Sequence, residues 1–361
     1  LNDWSSRCVT ERAAILERAA ELFEARTAEF TSLIAKEAGR TLNDGLDEVR
    51  EAVDFCRYYA AQATSLMHSE LELPGITGET NRLSYAPRGP WLCISPWNFP
   101  LAIFTGQIVA NLAVGNTVVA KPAEQTPLVA RLACDVLNEA GVPEGVLNLV
   151  NGDGPTLGGW LLPDERIAGV SFTGSHPSAR VINRQLALRD GPIIPLIAET
   201  GGINCMVVDS TALPEQVVDD VITSAFRSAG QRCSALRVLF VQSDVADGVI
   251  ELLAGAMKEL NVGDPQKLST DVGPVIDQAA HDRISAHLMH LKETATFIAK
   301  SPSADPKLNG YFVEPQAWEI SSLSALHEEV FGPILHIVRY HSEELDTIIE
   351  DIRSSKFALT M

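Results

Sequence analysis

The strongest constraint on this chain is an alternation that runs from Trp91 to Leu188. Short apolar runs at Trp91–Ser95, Thr117–Ala120, Val146–Val150 and Gly169–Phe172 are separated by helical stretches at Leu101–Leu112, Pro127–Ala140 and Thr156–Leu162, with a further one near Ser178–Leu188. Strands joined through helices run parallel, and a parallel sheet must bury both faces under helices. The pattern predicts an α/β fold with a Rossmann-type, doubly wound sheet. A new run of strands and helices starts near Ile193. It includes apolar runs at Cys205–Val208 and Leu236–Val241, with helices near Val217–Ser228, Val245–Leu260 and Gln278–Leu291. At roughly 100–200 residues per domain, the length suits about two domains. We place the change at Thr200-Gly201-Gly202, giving domains 1–200 and 201–361.

Ahead of the alternation, Glu11–Lys36 carries Ile15, Leu16, Ala19, Leu22, Phe23, Phe30 and Ile34 at helical spacing, and Gly39 is a natural stop. A second helix is expected over Leu46–Met67. The stretch Leu71–Tyr85, with Pro74, Gly75, Gly78 and Asn81, reads as an extended arm or hairpin.

Composition removes several classes of function. With 47 acidic against 28 basic residues the formal charge is −19, a surface that repels nucleic acid and anionic membranes. No apolar run approaches the roughly 18 residues a membrane helix needs. The six cysteines form no C-x-x-C pair and match no zinc spacing, which points to a reducing compartment, the cytoplasm. No signal peptide opens the chain. His287 and His290 lie three apart on an expected helix with His281 nearby, a solvated or satisfied face without a third well-placed ligand, so no metal is expected. Leu1-Asn2-Asp3-Trp4 and Ala358-Leu359-Thr360-Met361 both read as cuts in a longer chain.

Four segments carry candidate chemistry. In Ser228-Ala229-Gly230-Gln231-Arg232-Cys233-Ser234-Ala235, Cys233 is either a nucleophile needing local donors or a small buried hydrophobe. In Ile94-Ser95-Pro96-Trp97-Asn98-Phe99-Pro100, the prolines fix a loop whose Asn98 is either an oxyanion donor or a helix cap. In Ala198-Glu199-Thr200-Gly201-Gly202, Glu199 is either a base for water or a surface acid before a turn. In Val118-Val119-Ala120-Lys121-Pro122-Ala123-Glu124, Lys121 and Glu124 stand at a strand's carboxyl end, either on a ribose or as solvated charges. Two loops are possible phosphate seats: Gly152-Asp153-Gly154 with Gly158-Gly159, one residue too long for the dinucleotide fingerprint, and Phe172-Thr173-Gly174-Ser175.

In this order the motifs P-W-N-F-P, V-A-K-P-A-E, F-T-G-S, E-x-G-G, G-Q-x-C and Glu328-Glu329-Val330-Phe331-Gly332-Pro333 resemble the aldehyde dehydrogenase superfamily over essentially the whole chain. Within it, the text is most similar to the L-glutamate γ-semialdehyde (1-pyrroline-5-carboxylate) dehydrogenase module of bacterial proline utilization A. Asn81–Trp91, Ala198–Gly202, Ser228–Val241 and Leu268–Asp277 carry that likeness, with Thr200 where many aldehyde dehydrogenases have Leu.

The resemblance implies an NAD-binding domain over 1–200, a catalytic domain over 201–361 that is incomplete at its end, and an oligomerisation arm over 71–85. It implies NAD⁺ as cofactor and no metal. Cys233 would be the nucleophile, Asn98 the oxyanion donor and Glu199 the deacylation base. Ile94, Ser95, Pro96, Trp97, Lys121, Glu124, Gly154, Phe172, Gly174, Ser175, Gly201, Glu329 and Phe331 would line the cofactor site; Phe99, Arg232 and Ser234 would meet substrate. Fusion to a flavin-dependent proline dehydrogenase and a homo-oligomer are expected of the complete protein. The piece as it stands is expected to turn over substrate weakly or not at all. Another semialdehyde dehydrogenase, a thiol esterase on the same residues, or a scaffold protein on this fold are the competing readings.

Overall fold

The structure is a computed structural model that describes residues 2–355, 357 and 359–361. Leu1 and Ala358, on which part of the expectation about the chain ends rests, lie outside the described residues. The chain divides into two units, Leu1–Ala38 with Gly45–Thr200, and Gly39–Asp44 with Gly201–Met361.

The first unit is built on five parallel strands: β3 (Pro90–Ile94), β4 (Thr117–Lys121), β5 (Leu147–Leu149), β6 (Gly169–Gly174) and β7 (Leu196–Thr200), in the order β5-β4-β3-β6-β7. Alternate residues of β3 serve different cores. Trp91 and Cys93 pack with Leu16, Phe104 and Ile108, whereas Leu92 packs with Leu162, Val170 and Ile182. Both faces are therefore covered, as the alternation requires. Gly169 is needed for space, since a Cβ there would enter the Trp91 ring, whose indole N–H donates to Ser171 Oγ at 2.9 Å. β7 was not foreseen as a strand of this sheet. Its Leu196–Thr200 text lacks a core-facing run because it is an edge strand with Ile197, Ala198 and Glu199 exposed.

Two boundaries differ from expectation. The helix over Glu11–Lys36 is two helices, Val9–Ala25 and Thr27–Ala38. Thr27 Oγ1 donates to Glu24 O at 2.6 Å, and Phe23 and Phe30 pack across the break at 5.4 Å between ring centroids, so apolar spacing runs on through it. The next helix starts at Leu42, not Leu46, because Thr41 Oγ1 accepts from the Asp44 N–H at 3.2 Å and acts as its cap. The arm is a short antiparallel hairpin, β1 (Leu71–Leu73) with β2 (Asn81–Leu83).

The second unit holds β8 (Asn204–Val208), β9 (Leu236–Gln242), β10 (Thr296–Lys300), β11 (Gln316–Glu319) and β12 (Ile334–Tyr340), ordered β10-β11-β12-β9-β8; only β10 runs antiparallel to its neighbour. β9 is buried along its full length. Two polar side chains nevertheless sit in the middle of this sheet, Arg237 on β9 and His336 on β12. His336 Nδ1 lies 2.9 Å from Arg237 O, and its Nε2 lies 2.8 Å from His287 Nε2. A carbonyl only accepts, so Nδ1 carries the His336 proton and His287 Nε2–H donates to His336 Nε2. His287, expected on a solvated or satisfied helix face, is the outer member of a buried pair and so has its ring nitrogen satisfied. Among the described residues no helix is long and apolar enough to cross a membrane, and no group of three His, Cys, Asp or Glu could hold a metal.

Burial, the main cause in each case, pushes His287 down to about 4 and His336 down to about 3. An unfolded chain takes up these protons as pH falls below about 6.5, while the folded pair resists until about pH 4 or lower, so the unfolded state gains stability across that window. We predict that His336→Gln loses less stability than wild type between about pH 6.5 and 4, measured by urea unfolding. Parallel pH profiles for the two proteins would refute it.

Candidate active site

All five strands of the first sheet end on one edge, at Ile94, Lys121, Leu149, Gly174 and Thr200. The chain steps outward from β3 to β4 and β5, then returns to the other side of β3 with β6 and β7. In open α/β sheets ligands bind at such a reversal, here between β3 and β6, where Ile94 pairs with Phe172. Two loops flank it. The loop after β3 holds Ser95, Pro96, Trp97, Asn98 and Phe99, with Asn98 buried. The helix after it, Ala102–Ala113, is capped by Glu48: Glu48 Oε2 accepts from the N–H of Leu101 at 2.9 Å and of Ala102 at 3.1 Å. Glu199 lies on β7 opposite Thr173 and is exposed in its own unit.

Lys121, buried, donates from Nζ to Glu124 Oε1 at 3.0 Å and to Pro122 O at 2.8 Å. The half-exposed Glu124 carboxylate is thereby aimed and fixed at the strand end. A Cβ on Gly154 would lie 3.6 Å from Glu124 Oε1, so the start of the next helix stands beside that carboxylate. The two suspected phosphate loops are not equivalent. Gly158 and Gly159 lie inside the helix Gly154–Leu161, so the long glycine fingerprint does not form a loop. That helix is capped by Asp153, which accepts from the Thr156 N–H at 3.0 Å; this bonding keeps its carboxyl below the usual range, and the negative charge occupies the helix start. The helix His176–Ala187 is capped by the neutral Ser175, which accepts from the Ser178 N–H at 3.3 Å. A helix N-terminus with a neutral cap is the better seat for a pyrophosphate.

In the second unit the helix Pro214–Phe226 leads into three successive left-handed residues, Ser228 (φ 57°), Ala229 (φ 54°) and Gly230 (φ 65°). For the first two this costs about 1 kcal/mol or more each. Gly230 is required on space as well, since a Cβ there would strike Gly332 O. Cys233 follows, half-buried. The turn is held from several sides. Gln231 Nε2 donates to Ser228 O at 3.3 Å, and its Oε1 accepts from the Ile276 N–H at 2.9 Å. Asn204 Nδ2 donates to Cys233 O at 2.7 Å and to Ala235 O at 2.9 Å. The Arg237 guanidinium, 1% exposed, bonds Gly230 O at 2.6 Å, Gly332 O at 3.3 Å, Arg232 O at 2.9 Å and Glu329 Oε1 at 3.0 Å.

Burial pushes the Cys233 thiol up, and the Glu329 charge pushes it the same way. The N–H groups of Ser234 and Cys233, with the Arg237 charge, oppose them in part. Cys56, Cys134 and Cys205 are driven by burial up to about 12, and Cys93 is raised further. Glu329 is itself raised by burial and lowered by Arg237 and the Gly202 N–H; a Cβ on Gly201 would collide with its carboxylate, so glycine is needed there. Phe331 lies with its ring centroid 5.2 Å from the Arg237 guanidinium carbon.

The second unit therefore brings together Cys233, Glu329, Gly201 and Phe331. Arg232 is directed elsewhere, its Nη2 donating to Thr223 O at 2.8 Å and Ser224 O at 3.1 Å, where it closes the end of a helix. Three supports went unread in the sequence: Glu48, Asn204 and Arg237. Only Arg237 left a signal, a cation inside the apolar run Leu236–Val241.

The description "Aldehyde dehydrogenase family" matches residues 1–361 of this chain. Bifunctional protein PutA of Klebsiella aerogenes is 50% identical over 99% of the chain, which spans 27% of that relative's length. A mutant proline utilization A from Bradyrhizobium japonicum superposes with a TM-score of 0.96 at 56% identity, over 99% of this chain and 36% of that one. A 1-pyrroline-5-carboxylate dehydrogenase from Thermus with bound NAD gives a TM-score of 0.92 at 31% identity, over 97% of this chain and 68% of that one.

Burial separates the cysteines into those that solvent reaches, Cys8 and Cys233, and four that are shut away. With the exposed Cys8 replaced by Ser, brief iodoacetamide treatment at neutral pH is expected to modify Cys233 and leave Cys56, Cys93, Cys134 and Cys205 intact. Peptide mapping checks this, and a label on any of the four buried thiols at a comparable rate would contradict it.

Proposed function

The chain belongs to the aldehyde dehydrogenase family, and we propose that it performs the NAD⁺-dependent oxidation of L-glutamate γ-semialdehyde, formed from 1-pyrroline-5-carboxylate, to L-glutamate in proline catabolism. The observation that carries the reading is the setting of Cys233: a half-buried thiol on a strained turn held by several hydrogen bonds beside Glu329, while four other thiols of the chain are shut away.

The residues present fit an NAD⁺ molecule. Lys121 and Glu124 offer a fixed donor and acceptor for the adenine ribose, and the Glu124 carboxylate disfavours a 2′-phosphate, hence NAD⁺ over NADP⁺. The Ser175-capped helix takes the pyrophosphate, with Gly154, Phe172 and Gly174 near it and Ile94–Trp97 along the β3 side. Glu329 takes the nicotinamide ribose, with Gly201 and Phe331 beside it. When bound, the cofactor supplies the hydride acceptor.

The chain's own residues do the rest. The Cys233 thiolate attacks the aldehyde carbon and forms a hemithioacetal. The Asn98 amide and the Cys233 N–H donate to the oxyanion, an amide being suited because it cannot lose its proton. Loss of hydride leaves the acyl group on Cys233 as a thioester. Glu199 removes a proton from the water that attacks this thioester; the C–S bond breaks, the acid leaves, and Cys233 sulfur is freed for the next turnover, with the proton on Glu199 returned to it or to solvent. Phe99 and Ser234 line the substrate side. Arg232 is engaged with helix carbonyls, so the anchor for the α-carboxylate is sought elsewhere. An esterase would have no use for the Lys121–Glu124 pair. The Klebsiella relative is bifunctional and about four times as long, which supports this chain being one module beside a flavin-dependent proline dehydrogenase. The exposed hairpin Leu71–Leu83 suits a homo-oligomer contact.

In the protein that carries this chain, Cys233→Ala is expected to abolish NADH formation while NAD⁺ binding stays near wild type, measured by absorbance and by calorimetry. Residual turnover within tenfold of wild type, a barrier change of only about 1.4 kcal/mol, would remove Cys233 from the mechanism. Glu199→Gln is expected to give a burst of NADH followed by a stalled steady state in stopped flow, since only the second half-reaction needs the base. Loss of the burst with an intact Cys233 would contradict that role.

A further inference from the structure

One buried guanidinium reaches both functional parts of the second unit. Arg237 projects from the fully buried strand β9. It bonds Gly230 O and Arg232 O, on either side of Gln231 in the turn that presents Cys233. It also bonds Gly332 O and the Glu329 carboxylate, on the segment that leads into β12. We propose that Arg237 is a positioning residue that ties the nucleophile turn to the Glu329 carboxylate, so that thiol and cofactor anchor are held as one set. The Glu329 half of this rests on the ribose role proposed above.

Arg232 shows what an arginine with a local structural role looks like here: its Nη2 bonds two neighbouring carbonyls at the end of one helix. Arg237 instead joins two segments far apart in sequence, 230–232 and 329–332, through four acceptors. The planar fork of arginine can serve acceptors in several directions at once, whereas a lysine ammonium offers one point charge and three donors. The turn needs such a hold. Ser228 and Ala229 persist in left-handed backbone only if their surroundings over-determine it, and Gly230, the third residue of that run, is fixed through its carbonyl by Arg237. The Phe331 ring covers the guanidinium and belongs to the same segment as Glu329. A fixed positive charge near the thiol also favours its ionised form, against the burial and the Glu329 charge that oppose it.

The test measures iodoacetamide alkylation of Cys233 against pH in wild type, Arg237→Met and Arg237→Lys, with Cys8 replaced by Ser throughout. On the same variants in the full-length protein, KM for NAD⁺ and kcat are determined with glutamate semialdehyde. Arg237→Met is expected to raise the alkylation midpoint by about one pH unit, or about tenfold slower labelling at neutral pH, and to raise KM for NAD⁺ about tenfold. Arg237→Lys is expected to recover most of the midpoint, because the charge returns, but not KM, because the fork does not. A folded Arg237→Met with unchanged midpoint and unchanged KM overturns the proposal. So does failure of both variants to fold, which would make Arg237 a general support of the sheet. Glu329→Gln tests the cofactor reading separately: an unchanged KM for NAD⁺ there overturns the ribose half, while the alkylation midpoint decides the nucleophile half alone.

Discussion

The buried ion pair between Arg237 and Glu329 is the interaction on which the second unit's site depends. Its two partners are 1% and 18% exposed in their side chains, so both have given up much of their hydration. Removing one partner of such a pair costs about 3–5 kcal/mol, because the other is left charged and unpaired. The guanidinium offsets its own desolvation by spending further N–H groups on Gly230, Arg232 and Gly332 carbonyls. The same bonds stiffen a turn that local preference disfavours. Strain at Ser228 and Ala229 and the buried charge at Arg237 therefore meet in one arrangement, in which Arg237 shares the hold on the turn with Gln231 and Asn204.

The first unit solves a different problem with less strain. Its loops acquire function from where parallel strands stop, and the reversal beside β3 gathers those stops in one place. Exact contacts then come from small devices. Glu48 reaches over to cap the helix behind Asn98. Lys121 aims Glu124. The contrast between an Asp153 cap and a Ser175 cap decides which helix start can receive an anion.

How much of this is legible in the sequence depends on the range of the interaction. The alternation over Trp91–Leu188 shows the parallel sheet because period and length are local properties. The break at Arg26 is hidden, since Phe23 and Phe30 keep helical spacing across it. β7 is hidden because an edge strand needs no apolar run. Cys233, Asn98, Glu199, Lys121 and Glu124 stand out as motif residues. Their supports do not: Glu48 acts 53 positions away on Leu101, and Asn204 acts 29 positions away on Cys233. Nothing in the text near either residue marks those pairings. Arg232, next to Cys233 in sequence, invites a substrate role, yet its Nη2 is engaged by the Thr223 and Ser224 carbonyls.

Arg237 and His336 show how one sheet can bury two ionisable groups side by side. They are linked directly, with the His336 ring N–H donating to the Arg237 carbonyl. Two positive charges there would repel each other in a poorly screened interior. Only one of the groups can stay charged, and their intrinsic affinities for protons decide which. Arginine holds its proton far more tightly than histidine; burial lowers the Arg237 pKa, and Glu329 resists the fall. Histidine starts near 6.5 and is driven by burial to about 3, so it is neutral throughout the physiological range. The neutral ring then has one donor and one acceptor, and the Arg237 carbonyl and His287 supply the matching partners. The sheet can keep a fixed cation behind the Cys233 turn because the histidine beside it is held neutral and fully hydrogen-bonded.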